Sequence, residues 1–143
     1  MGMLDILKVS ASGLKAQRTR METIAANLAN IHTTRTDEGG PYMKKEVVFR
    51  TTEVSETSKF DKMLSERVEG VKVEEIAKSS KPSEKVYDPG HPDADKEGYV
   101  TYPNVNLMEE MADMISASRA YEANINVVNT TKEMFMKTLD IGK

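Results

Sequence analysis

"LDILKVSASGLKAQRTRMETIAANLANI", residues 4–31, decides how the chain is read. Leu4, Leu7, Ala11, Leu14, Arg18, Met21, Ala25 and Leu28 recur at alternating steps of three and four. That spacing is a heptad seam with one charged break at Arg18, and it predicts a helix over about residues 3–31. Such a helix is about 43 Å long at 1.5 Å per residue. Gly13 weakens it locally by about 1 kcal/mol relative to alanine. Asn27 and Asn30 fall near its end. Asparagine amides compete for nearby backbone groups, so these two either begin the exit from the helix or bond across to another helix.

The other end repeats the design. Leu107, Met111, Met114, Ser118, Tyr121, Ile125, Val128, Lys132, Phe135 and Leu139 alternate four and three. Asn106 is placed to cap this helix, with Glu109 and Glu110 in its first turn and Gly142 just past its last apolar residue. Asn106 with Glu109 is a loose capping box. Small residues beside both seams suit a close pair of helices. A two-helix pair buries neither partner fully, so part of each seam is expected to be covered by other chains.

Between them the chain is punctuated by glycine and proline. "YMKKEVVF" (42–49), "VKVEEI" (71–76) and "SEKVYD" (83–88) read as short strands, and the polar stretch 51–70 as a mobile loop. The fold class expected is therefore mainly α. Long N- and C-terminal helices pair as a coiled coil over 1–34 and 105–143, with a small β-containing, loop-rich middle region over 35–104.

Composition bounds the function. The 143 residues carry a net charge of -3, a mean hydropathy of -0.52, three Phe, no Trp and no Cys. Disulfides and thiolate chemistry are excluded. Residues 1–35 hold five basic and two acidic side chains, and residues 105–143 hold four and six. The two ends are thus able to pair electrostatically. The short basic stripe of Lys15, Arg18 and Arg20 has no interleaved aromatics, which argues against nucleic acid. No apolar run is long enough for a membrane span or a cleaved leader.

His32 and His91 are the only histidines, and no nucleophile or phosphate-loop motif accompanies them, so no enzyme, cofactor or small-molecule substrate is expected. "DADKEG" (93–98) mimics the first half of a calcium loop. Asn104 stands where the bidentate glutamate belongs, so no metal site is expected there. Arg119 and Glu122 are spaced for a local ion pair.

"SGLKAQRTRMETIAANLANIHTT" and "NVNLMEEMADMISASRAYEANINVVNTTKEMFMKTLDIG" resemble the N- and C-terminal signatures of the flagellar rod, hook and hook-associated axial proteins. "RTDEGGPYMKKEVVF", "YDPGHPDADKEGYVTYPNVN" and the short length are similar to the proximal-rod members of that family. A turn that many relatives place directly after the Asn-rich stretch is displaced here to Gly39–Gly40–Pro41–Tyr42, which argues against distal rod or hook subunits.

The resemblance implies a non-enzymatic, torque-transmitting subunit of the basal-body rod in the periplasm. It further implies export through the flagellar export apparatus without a cleaved signal peptide. The implied partners are further copies of the chain, other rod proteins and the membrane-ring or adaptor components at the rod base. Subunit contacts are expected at Leu14, Arg18, Met21, Asn27, Leu28 and Asn30 on the first helix. On the second they are expected at Met111, Ile115, Arg119, Tyr121, Glu122, Asn124 and Val128. Without the resemblance, a secreted or soluble coiled-coil binding module fits the same pattern. On this reading Asn27→Leu or Asn124→Leu leaves expression intact and impairs assembly.

Overall fold

Helix α1 (Met3–Ala29) and helix α2 (Leu107–Ile141) lie side by side in the computed structural model, which describes residues 3–53 and 69–142. Cross-contacts fix their direction. Asn27 meets Glu110, Arg20 meets Asp113, and Gly13 lies against Asn124, so the pair is antiparallel. A Cβ on Gly13 would stand only 3.1 Å from Asn124 Nδ2. Here the glycine that weakens the lone helix lets the two backbones approach.

The start of α2 is set by its cap. Asn106 holds extended backbone (φ -98°, ψ 117°), and its carboxamide oxygen accepts from the amides of Met108 and Glu109 at 2.9 and 3.3 Å. The reciprocal arm of the capping box is replaced: the Glu109 carboxylate stands 3.9 Å from Lys44 Nζ. At the far end Gly142 takes φ -85°, so the helix stops without the left-handed turn that glycine permits. With 35 residues, α2 spans about 52 Å against about 40 Å for the 27 of α1. Continuing the antiparallel register leaves residues 135–141 beyond the start of α1, and these are all exposed.

Helix α1 ends by tightening. The Asn30 amide is shared between the carbonyls of Ala26 and Asn27, and Asn30 Nδ2 donates to Ala26 O at 2.8 Å. The chain then reverses through Gly39 and Gly40, both at positive φ (86° and 78°), where side chains are disfavoured. Strands β1 (Lys45–Glu53) and β2 (Glu69–Lys78) form an antiparallel hairpin with a bulge at Val48/Phe49. It lies along α1: the Val71 amide donates to Ser12 Oγ near one end, and Lys45 bonds Asn27 at the other. The loop expected over 51–70 is strand at Thr51–Glu53 and Glu69–Gly70, and residues 54–68 lie outside those described.

Strands β3 (Glu84–Tyr87) and β4 (Tyr99–Tyr102) form a second hairpin. Strand β4 has no counterpart among the expected elements. Its four residues are squeezed between Gly98 and Pro103, too few to show a period. Val100 on it is fully buried, and Tyr87 and Tyr99 meet edge to face at 5.3 Å. In the connecting loop the Asp95 carboxylate accepts from the amides of Glu97 and Tyr99, each at 2.9 Å, and Asp88 accepts from Gly90. Asp93 Oδ2 accepts from Thr34, tying the loop to the exit of α1. These carboxylates are occupied by the protein's own donors, and among the described residues no acidic or histidine cluster is placed to hold a metal.

Two outcomes follow from this loop. Gly98 sits at φ +85°, and a Cβ there would meet the Tyr87 ring at 2.9 Å. Gly98→Ala should therefore lower stability by about 1–2 kcal/mol, read as a lower thermal midpoint. The Tyr99 amide, with those of Glu97 and Gly98 and the charge of Lys85, holds the Asp95 carboxyl below its ordinary value. That support is present above the ordinary carboxylate range and is lost as pH falls through the lowered value. An NMR titration should show Asp95 ionising below a free aspartate, with the Glu97 and Tyr99 amides moving in step.

Candidate assembly interface

The joint between helices and hairpin is polar. Among the described residues, the buried apolar side chains are Ala16, Ile24, Tyr42, Val100 and Ala117. The buried polar ones outnumber them and include Asn27, Lys44 and Glu110. Asn27, 1% exposed, uses all of its hydrogen-bonding capacity. Its Nδ2 donates to Lys45 O at 2.9 Å and Glu110 Oε2 at 3.0 Å. Its Oδ1 accepts from Tyr42 OH and the Lys45 amide, both at 2.9 Å. The other Glu110 oxygen faces Lys44 Nζ at 2.8 Å, as an ion pair rather than an aligned hydrogen bond. Asn104 extends the knot, accepting from the Lys44 amide and donating to Lys81 O. One side chain on α1 thus ties the first strand to the first turn of α2.

The electrostatics follow the burial. Desolvation pulls the Lys44 ammonium down, but the carboxylate of Glu110, with Glu46 and Glu109, overrides it and leaves the group above the ordinary lysine value. Its contribution is complete at neutral pH and fades only as pH rises through that raised value. Burial, then the Glu110 charge, raises the Tyr42 hydroxyl, which stays a neutral donor to Asn27. Arg20 and Asp113 add an outer ion pair at 2.8 Å, so the basic first helix and acidic second helix pair within the chain.

The leucine seam of α1 is not where the helices meet, and the seam of α2 is so only in part, through Met114, Tyr121 and Val128. The inner stripe of α1 runs through Ser10, Gly13, Gln17, Arg20, Ile24 and Asn27, and that of α2 through Glu110, Met114, Ala117, Tyr121, Asn124, Val128 and Thr131. At about 100° per residue, the leucine stripe of α1 lies roughly a quarter turn or more from its inner stripe. The hairpin packs on the opposite flank, at Ser12, Thr19, Thr23 and Ala26. On α2 the exposed stripe of Leu107, Met111, Ile115 and Ile125 is displaced by a similar angle. Because the helices are antiparallel, both stripes turn to the same side. The result is one apolar face along the pair, facing away from the hairpin.

The expected contact residues divide accordingly. Met111 and Ile115 are about half exposed on that face (48% and 53%), with Leu14, Met21 and Leu28 half-buried beside them. Arg18 is exposed and pairs with Glu22 one turn on, at 2.9 Å. Arg119 and Glu122 are exposed, and no ion pair joins them among the described residues. Tyr121, Asn124 and Val128 are half-buried on the inner stripe, where Asn124 Nδ2 caps Ala120 O at 3.0 Å. Asn30 closes α1, accepting from Thr33 Oγ1. Asn27 is wholly engaged inside the chain. Glu110, Lys44, Tyr42 and Asn104 escaped the sequence reading. For Glu110 the signal is a second three–four stripe of small and polar residues running beside the apolar one; Tyr42, Lys44 and Asn104 lie outside the helices, where no period marks them.

Two matches at the chain ends define the class. Residues 7–35 match the family model described as flagella basal body rod protein, and residues 96–141 match flagellar basal body rod FlgEFG protein C-terminal. This is a class of non-enzymatic, structural axial proteins. The chain is 46% identical over 149 aligned residues to the flagellar basal-body rod protein FlgC of Borreliella burgdorferi, covering 99% of this chain and 98% of that one. It is 41% identical to FlgC of Salmonella typhimurium over the whole of both chains, and 44% identical to that of Bacillus subtilis over 96% of each. The chain belongs to the FlgC family, structural proteins of the proximal rod of the flagellar basal body.

The polar knot gives a stability prediction. Glu110→Ala leaves the buried Lys44 charge with only the longer 3.9 Å contact to Glu109 and should cost about 3 kcal/mol in denaturant unfolding. Arg18→Ala, in the exposed pair, should change it by less than about 1 kcal/mol. Asn27→Leu strands the Tyr42 hydroxyl and the Lys45 amide, so its first effect should be on the free chain, with a lower denaturant midpoint. An unchanged midpoint for both Glu110→Ala and Asn27→Leu would show that the knot does not hold the fold.

Proposed function

We propose that this chain joins the rod through the apolar face of its helix pair, with the helical unit 1–34 and 105–143 forming the inner contact layer and 35–104 standing outside it. Membership of a rod family implies assembly with other rod proteins. The observation that supports this route is the uncovered stripe of Leu107, Met111, Ile115 and Ile125 beside the leucines of α1. Soluble single chains rarely leave contiguous apolar surface of this kind without a partner for it. Leu14, Met21 and Leu28 from one side and Met111 and Ile115 from the other are the contact residues. Arg18, Arg119 and Glu122 are the exposed charges available to set register at its rim. Asn27, Asn30, Tyr121, Asn124 and Val128 act on the contact from within, by fixing the helices that carry it.

The neighbours are further copies of the chain, other rod proteins and the membrane-ring or adaptor components at the base. A surface that gives one patch and takes another builds an open helical array, which passes torque along its length. Export through the flagellar apparatus without a cleaved signal peptide fits the same design. The chain has a small apolar core, and its joint is made of groups that water solvates well once unfolded.

Met111→Lys and Ile115→Lys test the face. Both side chains are exposed, so the melting curve of the purified chain should shift by no more than about 0.5 kcal/mol. Incorporation into basal bodies and swimming should be lost. Normal motility of cells carrying either variant would remove this face from the contact.

A further inference from the structure

Helix α2 exposes four methionines: Met108 and Met111, 74% and 48% exposed in its first turns, and Met134 and Met136, each 54% exposed near its end. Met21, Met43 and Met114 are half-buried. Met111 stands one turn from Leu107 and one turn from Ile115, in the middle of the stripe, with Met108 one turn before it at the edge. A thioether is apolar and adaptable, which suits a contact surface, but an exposed one is open to two-electron oxidation.

We propose that Met111, with Met108, is an oxidation site at which peroxide blocks assembly of this chain. The consequence for assembly rests on reading the apolar face as the rod contact; the selectivity among methionines does not. In the reaction a sulfur lone pair attacks one oxygen of hydrogen peroxide and the O–O bond breaks. The sulfur keeps that oxygen as a sulfoxide, and the other oxygen leaves as water after proton transfer. Sulfur is oxidised by two electrons and peroxide is reduced by two. The sulfoxide is a strong acceptor in a stripe whose neighbours are Leu107 and Ile115, so burying it against a partner leaves it unpaired unless the partner supplies a donor. Met111 is about half exposed and lies outside both the knot and the inner stripe, so the modified chain stays folded and fails at the contact.

Peptide mapping of the purified full chain under limiting hydrogen peroxide tests the chemistry. Met108 and Met111 should gain one oxygen several-fold faster than Met114, three residues further along the same helix. Equal rates at Met111 and Met114 would overturn the proposal. In cells lacking methionine sulfoxide reductase, a peroxide pulse during basal-body assembly should exclude the wild-type chain. The Met108→Leu/Met111→Leu chain should be incorporated at its untreated level. Equal exclusion of the two would also overturn it. Met111→Gln, a polar side chain of similar length that peroxide does not oxidise, separates the underlying reading. It should fold and fail to incorporate; normal incorporation would show that the face is not a rod contact, whatever the oxidation map shows.

Discussion

A single carboxamide holds the architecture together. Asn27 closes four hydrogen bonds in a site almost sealed from water: two to the backbone at the start of β1, one to the Tyr42 hydroxyl and one to the first turn of α2. A buried amide is costly unless every arm is satisfied, so few other arrangements of these segments compete with this one. The Lys44–Glu110 pair adds the same logic with charge. Its net contribution against a well-packed apolar substitute is small, while removing one partner is expensive. The knot therefore selects one geometry more than it adds stability.

The extent to which this was legible in the sequence varied with the kind of signal. Helix α1, helix α2 and the Asn106 cap were written in the three–four period and in one well-placed side chain, and the structure carries them within a few residues. The hairpin strands were visible in "YMKKEVVF" and "VKVEEI", though not their length. The seam was legible only in part, for a physical reason. A heptad of leucine and methionine marks where apolar surface will be buried, but not by which chain. Here the intrachain stripe is built of Ser10, Gly13 and Asn27 on one side and Glu110, Ala117 and Asn124 on the other, residues that a hydrophobic pattern discounts. Asp93 and Asp95 show a different case. Their spacing mimics half of a calcium loop, Asn104 argues against one, and the Thr34 hydroxyl and the loop's own amides take the oxygens.

The division between the two stripes accounts for the composition. A chain that must bury its leucines at home needs a thick core, and this one has few aromatic residues with which to make it. Small and polar residues bring α1 and α2 close together, and the larger apolar side chains are left on the outside. Arg20 and Asp113 use the opposite charges of the two ends within the chain, so the exposed face is left mainly apolar beside a charged rim.

The unequal lengths of α1 and α2 give the subunit two unlike ends. At one, the Asn106 cap, the exit of α1 and the knot close the pair into a blunt, tied block. At the other, α2 runs on past the start of α1 with no partner among the described residues, and Phe135, Leu139 and Ile141 are exposed. A short single helix in water is marginal without something to lean on. Each copy is thus a directional brick, finished below and unfinished above, and any stack built from such units inherits a polarity from every piece.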